Sequence, residues 1–236
     1  MYIYGKNVAK EHLNTNEKTV RAYISNKFKD QELINLLKDK KVKINFVDDL
    51  ILNKKVDGNH QGIVLEVDDV KTISLNEYLS ITKNKQNPIL IMLDHLEDPH
   101  NFGAIIRTAE ALGVDGIIIP NDRSVGVNGT VVKTSAGAIV HVNIIRVPNL
   151  TSTIEKLKDH GYWFVGTDMS GQDYTTIDYN MPVCLVIGNE GHGMSKIVKN
   201  NCDFIATIPM TGKINSLNAS VSCAIVLSRI VSSRNR

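Results

Sequence analysis

Apolar positions along the chain follow two rhythms in succession. Residues 19–25 and 43–47 carry the short apolar clusters of strands, and between them residues 31–40 place Leu33, Leu36 and Leu37 on one helical face. A further strand is predicted over 62–67, which completes a small α/β module. Residues 74–82 predict one short helix, and Lys83-Asn84-Lys85-Gln86-Asn87-Pro88 is a polar run ending in proline, the composition of a linker. The boundary is therefore expected near residue 85, with a first domain over 1–72, a linker over 73–87 and a second domain over 88–236.

From Ile89 onward, strands predicted at 89–93, 116–119, 142–147, 162–166, 183–187 and 204–208 alternate with helical stretches. Such βαβ alternation implies a mainly parallel sheet covered by helices, an α/β fold. The last helix, about 218–233, is apolar on most faces through Val221, Ala224, Ile225, Leu227 and Ile230. It is expected to be buried, partly in a contact between subunits.

Composition narrows the class without naming a function. With 236 residues, 42% hydrophobic and 22% charged, the chain is not a disordered one and can bury a core in each of two domains. Net charge is only +2, but the balance is uneven: residues 1–87 hold 15 basic and 12 acidic side chains, the remainder 12 and 13. That mild excess permits contact with RNA and does not require it. Apolar runs such as Gly116-Ile117-Ile118-Ile119 fall far short of the roughly 20 residues a helical membrane span needs. The opening Met1-Tyr2-Ile3-Tyr4-Gly5-Lys6 lacks the pattern of a secretion signal, so a cytoplasmic protein is expected. Cys184, Cys202 and Cys223 are odd in number and form no C-x-x-C pair, which argues against a disulfide framework or a structural zinc site.

Ligands of parallel α/β sheets bind beyond the carboxyl ends of the strands. Three polar turns leave such ends here. The first runs Asp94-His95-Leu96-Glu97-Asp98-Pro99-His100-Asn101-Phe102-Gly103 into a helix with Arg107 off its apolar stripe. The second is Gly188-Asn189-Glu190-Gly191-His192-Gly193, and the third runs from Ile208-Pro209-Met210 to Ser216-Leu217-Asn218. Taken singly, Asn101 and Asn218 read equally well as helix N-caps, Arg107 as an i,i+3 partner of Glu110, and the glycines as turn formers. Together, the turns would form one crevice if their strands are neighbours. Gly212-Lys213 has no glycine at position 207 to make a P-loop, and the glycines after 187 are spaced G-x-x-G-x-G, unlike a dinucleotide fingerprint. His95 and His100 with their acidic neighbours make a weak metal candidate, and no metal is expected.

Asp98-Pro99-His100-Asn101-Phe102-Gly103 with Arg107-Thr108-Ala109, Gly188-Asn189-Glu190-Gly191-His192-Gly193-Met194, and Ile208-Pro209-Met210 with Ser216-Leu217-Asn218-Ala219-Ser220 resemble, in order and separation, the three signature motifs of the SpoU-type (TrmH-like) RNA ribose 2′-O-methyltransferases of the SPOUT superfamily. The front module, including His60-Gln61-Gly62-Ile63, resembles the ribosomal-protein-like substrate-binding domain of the rRNA-modifying branch. The resemblance implies S-adenosylmethionine bound in a C-terminal trefoil knot, and a homodimer. It implies Gly188, Ile208 and Leu217 as cofactor-binding positions, and Asn101, Arg107, Glu190, Ser216 and Asn218 as the catalytic set.

The implied reaction moves a methyl group to a ribose 2′-hydroxyl, which must shed its proton as it attacks. Arginine is a permanent cation at neutral pH, so Arg107 is expected to grip the adjacent phosphate and acidify the hydroxyl, while phosphate or water takes the proton. Lysines 6, 10, 27, 29, 54 and 55 and Tyr2, Tyr4 and Tyr23 are candidate RNA contacts. By resemblance the first target is a guanosine of 23S rRNA. A tRNA-directed or adenosine-directed relative and an inert RNA-binding scaffold are the competing readings, with a nicotinamide oxidoreductase remote.

Overall fold

The computed structural model describes residues 1–15, 18–213 and 216–234 and contains two compact units. The first comprises Met1–Val70 with Val127–Val140; the second comprises Lys71–Gly126 and the chain from His141 onward.

In the first unit, strands β1 (Tyr2–Tyr4), β2 (Thr19–Ser25), β3 (Ile44–Val47) and β4 (Ile63–Val67) form a sheet of order β1-β4-β2-β3. β4 runs antiparallel to β1 and β2, whereas β2 and β3 are parallel. Helices α1 (Lys6–Asn14), α2 (Gln31–Asp39) and α3 (Asp49–Lys55) accompany it. α2 starts where Asp30 accepts a hydrogen bond from Leu33 N at 3.2 Å, and its Leu33, Ile34 and Leu37 are buried. The strand 62–67 and the helix near 31–40 stand as expected. β1, α1 and α3 were not anticipated.

The unit also includes α6 (Gly129–Thr134), from inside the stretch expected to form the second domain. Lys133 Nζ donates to Asn59 O at 2.8 Å and lies 4.4 Å from the centre of the Tyr4 ring. Its apolar face, Val131 and Val132, is buried. Residues 73–87 likewise differ from the linker expected there. They contain α4 (Leu75–Ile81), and its Tyr78 is fully buried in the core of the second unit together with Leu90, Ile145 and Phe164. The polar run 83–88 resembles a linker only because the apolar side chains that anchor the segment lie just before it.

The second unit is a six-stranded sheet of order β10-β8-β9-β5-β6-β7 in which every neighbouring pair is parallel. Its strands are β5 (Ile89–Asp94), β6 (Gly116–Pro120), β7 (Ile144–Val147), β8 (Trp163–Asp173), β9 (Val183–Gly188) and β10 (Phe204–Thr207). β5 is buried at all six positions and β9 at all but Gly188, the apolar continuity of strands covered on both faces. Helices α5 (Pro99–Ala111), α7 (Leu150–Asp159), α8 (Lys196–Asn200) and α9 (Ala219–Arg234) connect and cover them. The order changes direction between β5 and β9, so their carboxyl ends flank a switch point, the usual site of a ligand crevice. No described helix is long and apolar enough to cross a membrane.

The hydroxyls of Tyr78 and Tyr162 meet at 3.0 Å inside the core. Burial pushes the Tyr162 phenol up to about 12, which keeps the pair neutral. Tyr78→Phe is expected to cost about 1–2 kcal/mol by orphaning the Tyr162 hydroxyl, and Tyr78→Ala about 3–5 kcal/mol by opening a cavity. Urea denaturation of the two variants checks both the order and the size.

Candidate active site

β5 and β9 are paired in register from Ile89↔Val183 to Asp94↔Gly188, so the first two turns leave the sheet side by side. Asp94, 1% exposed, fixes their relation: one carboxylate oxygen accepts from Ser195 N at 2.6 Å, and the other lies 2.6 Å from His95 Nδ1. Asn189 closes the second turn on itself. Its backbone exchanges two hydrogen bonds with Gly193, and its side-chain oxygen accepts from Gly191 N at 2.8 Å. Its amide then donates to His95 O at 2.8 Å.

Thus held, Glu190 reaches the start of α5. Its carboxylate accepts from Asn101 Nδ2 at 3.0 Å and, more weakly, from the backbone N–H groups of Glu97 and Asp98 at 3.4 and 3.3 Å. Because the Asn101 amide nitrogen donates to Glu190, its oxygen must accept, and Asn218 Nδ2 donates to it at 2.9 Å. Asn218 also caps α9, accepting from Ser220 N, Ser220 Oγ and Val221 N. Asn101 is not a cap: Asp98 accepts from His100 N at 2.8 Å and fills that place. A continuous hydrogen-bonded chain, Glu190–Asn101–Asn218, therefore joins all three turns.

The cleft beside this chain has a volume of about 760 Å³. Gly188, Ile208, Ser216 and Leu217 line it, as do Glu190 and Asn218. A Cβ on Gly188 would lie 2.3 Å from Gly193 C and Met194 N, so only glycine lets the strand end and the returning turn approach this closely. Met210 and Leu217 are 38% and 40% exposed, leaving large apolar surfaces open to a ligand. Ile214 and Asn215 of the third turn lie outside the described residues.

Arg107 departs from the expected convergence within one chain. It is exposed on α5, about 9 Å along the helix axis from Asn101 by helical rise, and does not line the cleft. Of the eight site residues read from the sequence, all but two thus line the cleft: Asn101 is joined to it by hydrogen bonds, and Arg107 stands apart.

Sequence reading missed the wall supplied by β8. Thr167, Asp168 and Ser170 line the cleft there. Thr207 Oγ1 donates to Asp168 O and accepts from Gly171 N, both at 2.7 Å, stitching β8 to β10. Asp168 accepts from Ser170 N and Oγ and pairs with Lys199 Nζ at 2.8 Å. Burial pushes its carboxyl up, but the Lys199 and Ser170 donors outweigh this and hold it down at about 2. The run Thr167-Asp168-Met169-Ser170-Gly171 after an apolar strand was the available signal.

Comparison with known proteins identifies the family. Residues 88–228 match the model of the SpoU rRNA Methylase family, and residues 2–72 match that of RNA 2′-O ribose methyltransferase substrate binding. The chain belongs to the SpoU rRNA methylase family. As a member it is an S-adenosylmethionine-dependent RNA methyltransferase. It is 41% identical over 239 residues to YacO of Bacillus subtilis, named for the TrmH family of tRNA/rRNA methyltransferases, covering 99% of this chain and 96% of that one. A similarly named Staphylococcus aureus protein is 39% identical over 238 residues, with the same coverage. Among solved structures, the SpoU methyltransferase AviRb of Streptomyces viridochromogenes, in complex with AdoMet, shares the fold at a TM-score of 0.84 and 23% identity, covering all of this chain and 90% of that one. The TrmH/SpoU tRNA modifying enzyme of A. aeolicus has a TM-score of 0.58 and 28% identity over 68% of this chain and 82% of its own.

A depressed carboxyl stabilises the fold fully above its unfolded value near pH 4, and that contribution is lost as pH falls toward about 2. Asp168→Asn is therefore expected to lose about 1–2 kcal/mol at pH 7, discounted for its partial exposure. The gap from the parent chain should close between about pH 4 and pH 2 in urea melts.

Proposed function

We propose that this protein methylates the 2′-hydroxyl of one guanosine ribose in 23S rRNA, acting as a cytoplasmic homodimer. The observation that carries this reading is the Glu190–Asn101–Asn218 chain at the rim of a cleft lined by Gly188, Ile208 and Leu217. The cleft fits the methyl donor: Gly188 lets the turn through Gly193 fold back tightly at the cleft, and Ile208 and Leu217 supply apolar walls for a flat base. Bound there, S-adenosylmethionine supplies an activated methyl group on a sulfonium.

The residues of the chain supply placement and charge. Asn218 orients the ribose at the cleft and Asn101 sets the Asn218 amide from behind it, Ser216 offers a hydroxyl at the rim, and Glu190 fixes the Asn101 amide so that the geometry is set before RNA arrives. Arg107 holds the neighbouring phosphate and favours loss of the hydroxyl proton, which passes to phosphate or water. Its exposure on α5, away from its own cleft, supports delivery to the cleft of a second subunit. Exposed Val221 and the packing of α9 on α5 give that pair of helices a face for the dimer. The knot belongs to the same reading, because the chain leaves β10 at the sheet edge yet α9 returns to pack on α5 and β9 near its middle. The substrate-binding unit supports a large folded RNA as target, and the three free cysteines suit a reducing compartment.

Mapping 2′-O-methyl sites in total RNA from cells with and without the gene tests the target. Loss at one 23S guanosine is expected; loss in tRNA or at an adenosine redirects the assignment, and an unchanged map refutes it. For Arg107, single-turnover methylation should fall at least about 100-fold in Arg107→Ala and less in Arg107→Lys, which keeps the charge. Full activity in both variants would remove Arg107 from the mechanism.

A further inference from the structure

Among the described residues that line the cleft, the charged side chains are Asp168 and Glu190, both carboxylates. Glu190 is turned toward Asn101 and the amides of Glu97 and Asp98, which leaves Asp168, on the wall supplied by β8, as the remaining anion of the lining. Its position is fixed from both ends. Ser170 N and Oγ engage one carboxylate oxygen at 2.9 and 2.7 Å and Lys199 Nζ the other at 2.8 Å, while Thr207 Oγ1 holds its carbonyl. Lys199 offsets the charge without being part of the lining.

An anionic cleft is an odd feature for an enzyme whose other substrate is a polyanion. It repels RNA phosphate and attracts a cation. The methyl donor and its spent product differ in this respect: the donor carries a positive sulfonium, and transfer leaves a neutral thioether, the positive charge leaving with the hydroxyl proton. We propose that Asp168 is a specificity-determining residue of the donor site, its carboxylate favouring the sulfonium-bearing donor over the demethylated thioether. The inference rests on reading this cleft as the donor site. It gives the site a means of releasing product and reloading donor that needs no movement of the fold.

Calorimetric titration of the whole chain with S-adenosylmethionine and with S-adenosylhomocysteine, without RNA, tests it. At separations of about 5–10 Å, one partly screened charge is worth a change of about three- to tenfold in affinity. Asp168→Asn should weaken donor binding by that factor and change product binding less than about twofold. Lys199→Gln, which removes the offsetting cation, should move the donor-to-product ratio the other way. Equal losses for both ligands in Asp168→Asn, no loss for either, or a shift in the same direction for Lys199→Gln overturns the proposal. Should Asp168→Asn not fold, the parent chain decides: its preference for donor must shrink between about 0.05 and about 0.5 M salt, and a constant ratio overturns the proposal. A parent chain that binds neither ligand refutes the donor-site reading itself, whereas one that binds both, with the ratio unmoved by Asp168→Asn, refutes only the role of Asp168.

Discussion

The site hangs on one carboxamide. Asn101, 5% exposed at the start of α5, spends its donor on Glu190 and its acceptor on Asn218, so three turns spread over more than a hundred residues share a single hydrogen-bonded chain. A buried amide satisfied on both sides is directional, and each partner sets the orientation of the next. No hydrophobic contact could do this, since apolar packing fixes distance and volume without fixing which atom faces which. The chain in turn depends on Asp94, whose buried carboxylate ties the turn after β9 to the end of β5.

The two signs of charge lie apart in the second unit: the charged lining of the cleft, among the described residues, is Asp168 and Glu190, and Arg107 lies outside it on α5. The cysteines take no part: burial pushes Cys202 and Cys223 up to about 12, far from a nucleophilic thiolate, and none lines the cleft.

The parallel sheet, the short strands of the second unit and the buried C-terminal helix were legible because each is a local pattern. Continuous apolar runs mark doubly covered strands, and a change to helical spacing marks the helices between them. The motif residues were legible through resemblance, and glycine at 188 has a steric reason visible only once Gly193 and Met194 are seen to crowd it. Asp168 lies in a polar run that follows an apolar strand, but that run does not tell which strands will stand beside it. Residues 73–87 hold a buried Tyr78, and 127–140 fold with the first unit, choices made by packing partners distant in sequence.

By itself, then, the sequence determined the class of fold, the family and the identity of the residues at the strand ends, since propensity, periodicity and motif spacing are properties of neighbours along the chain. Only the tertiary structure decided that β5 and β9 lie adjacent, that Asn101 links Glu190 to Asn218, that β8 contributes an anionic wall, and that Arg107 stands away from its own cleft. Those are matters of strand order and of hydrogen-bond direction across long loops, and they exist only after the core has closed.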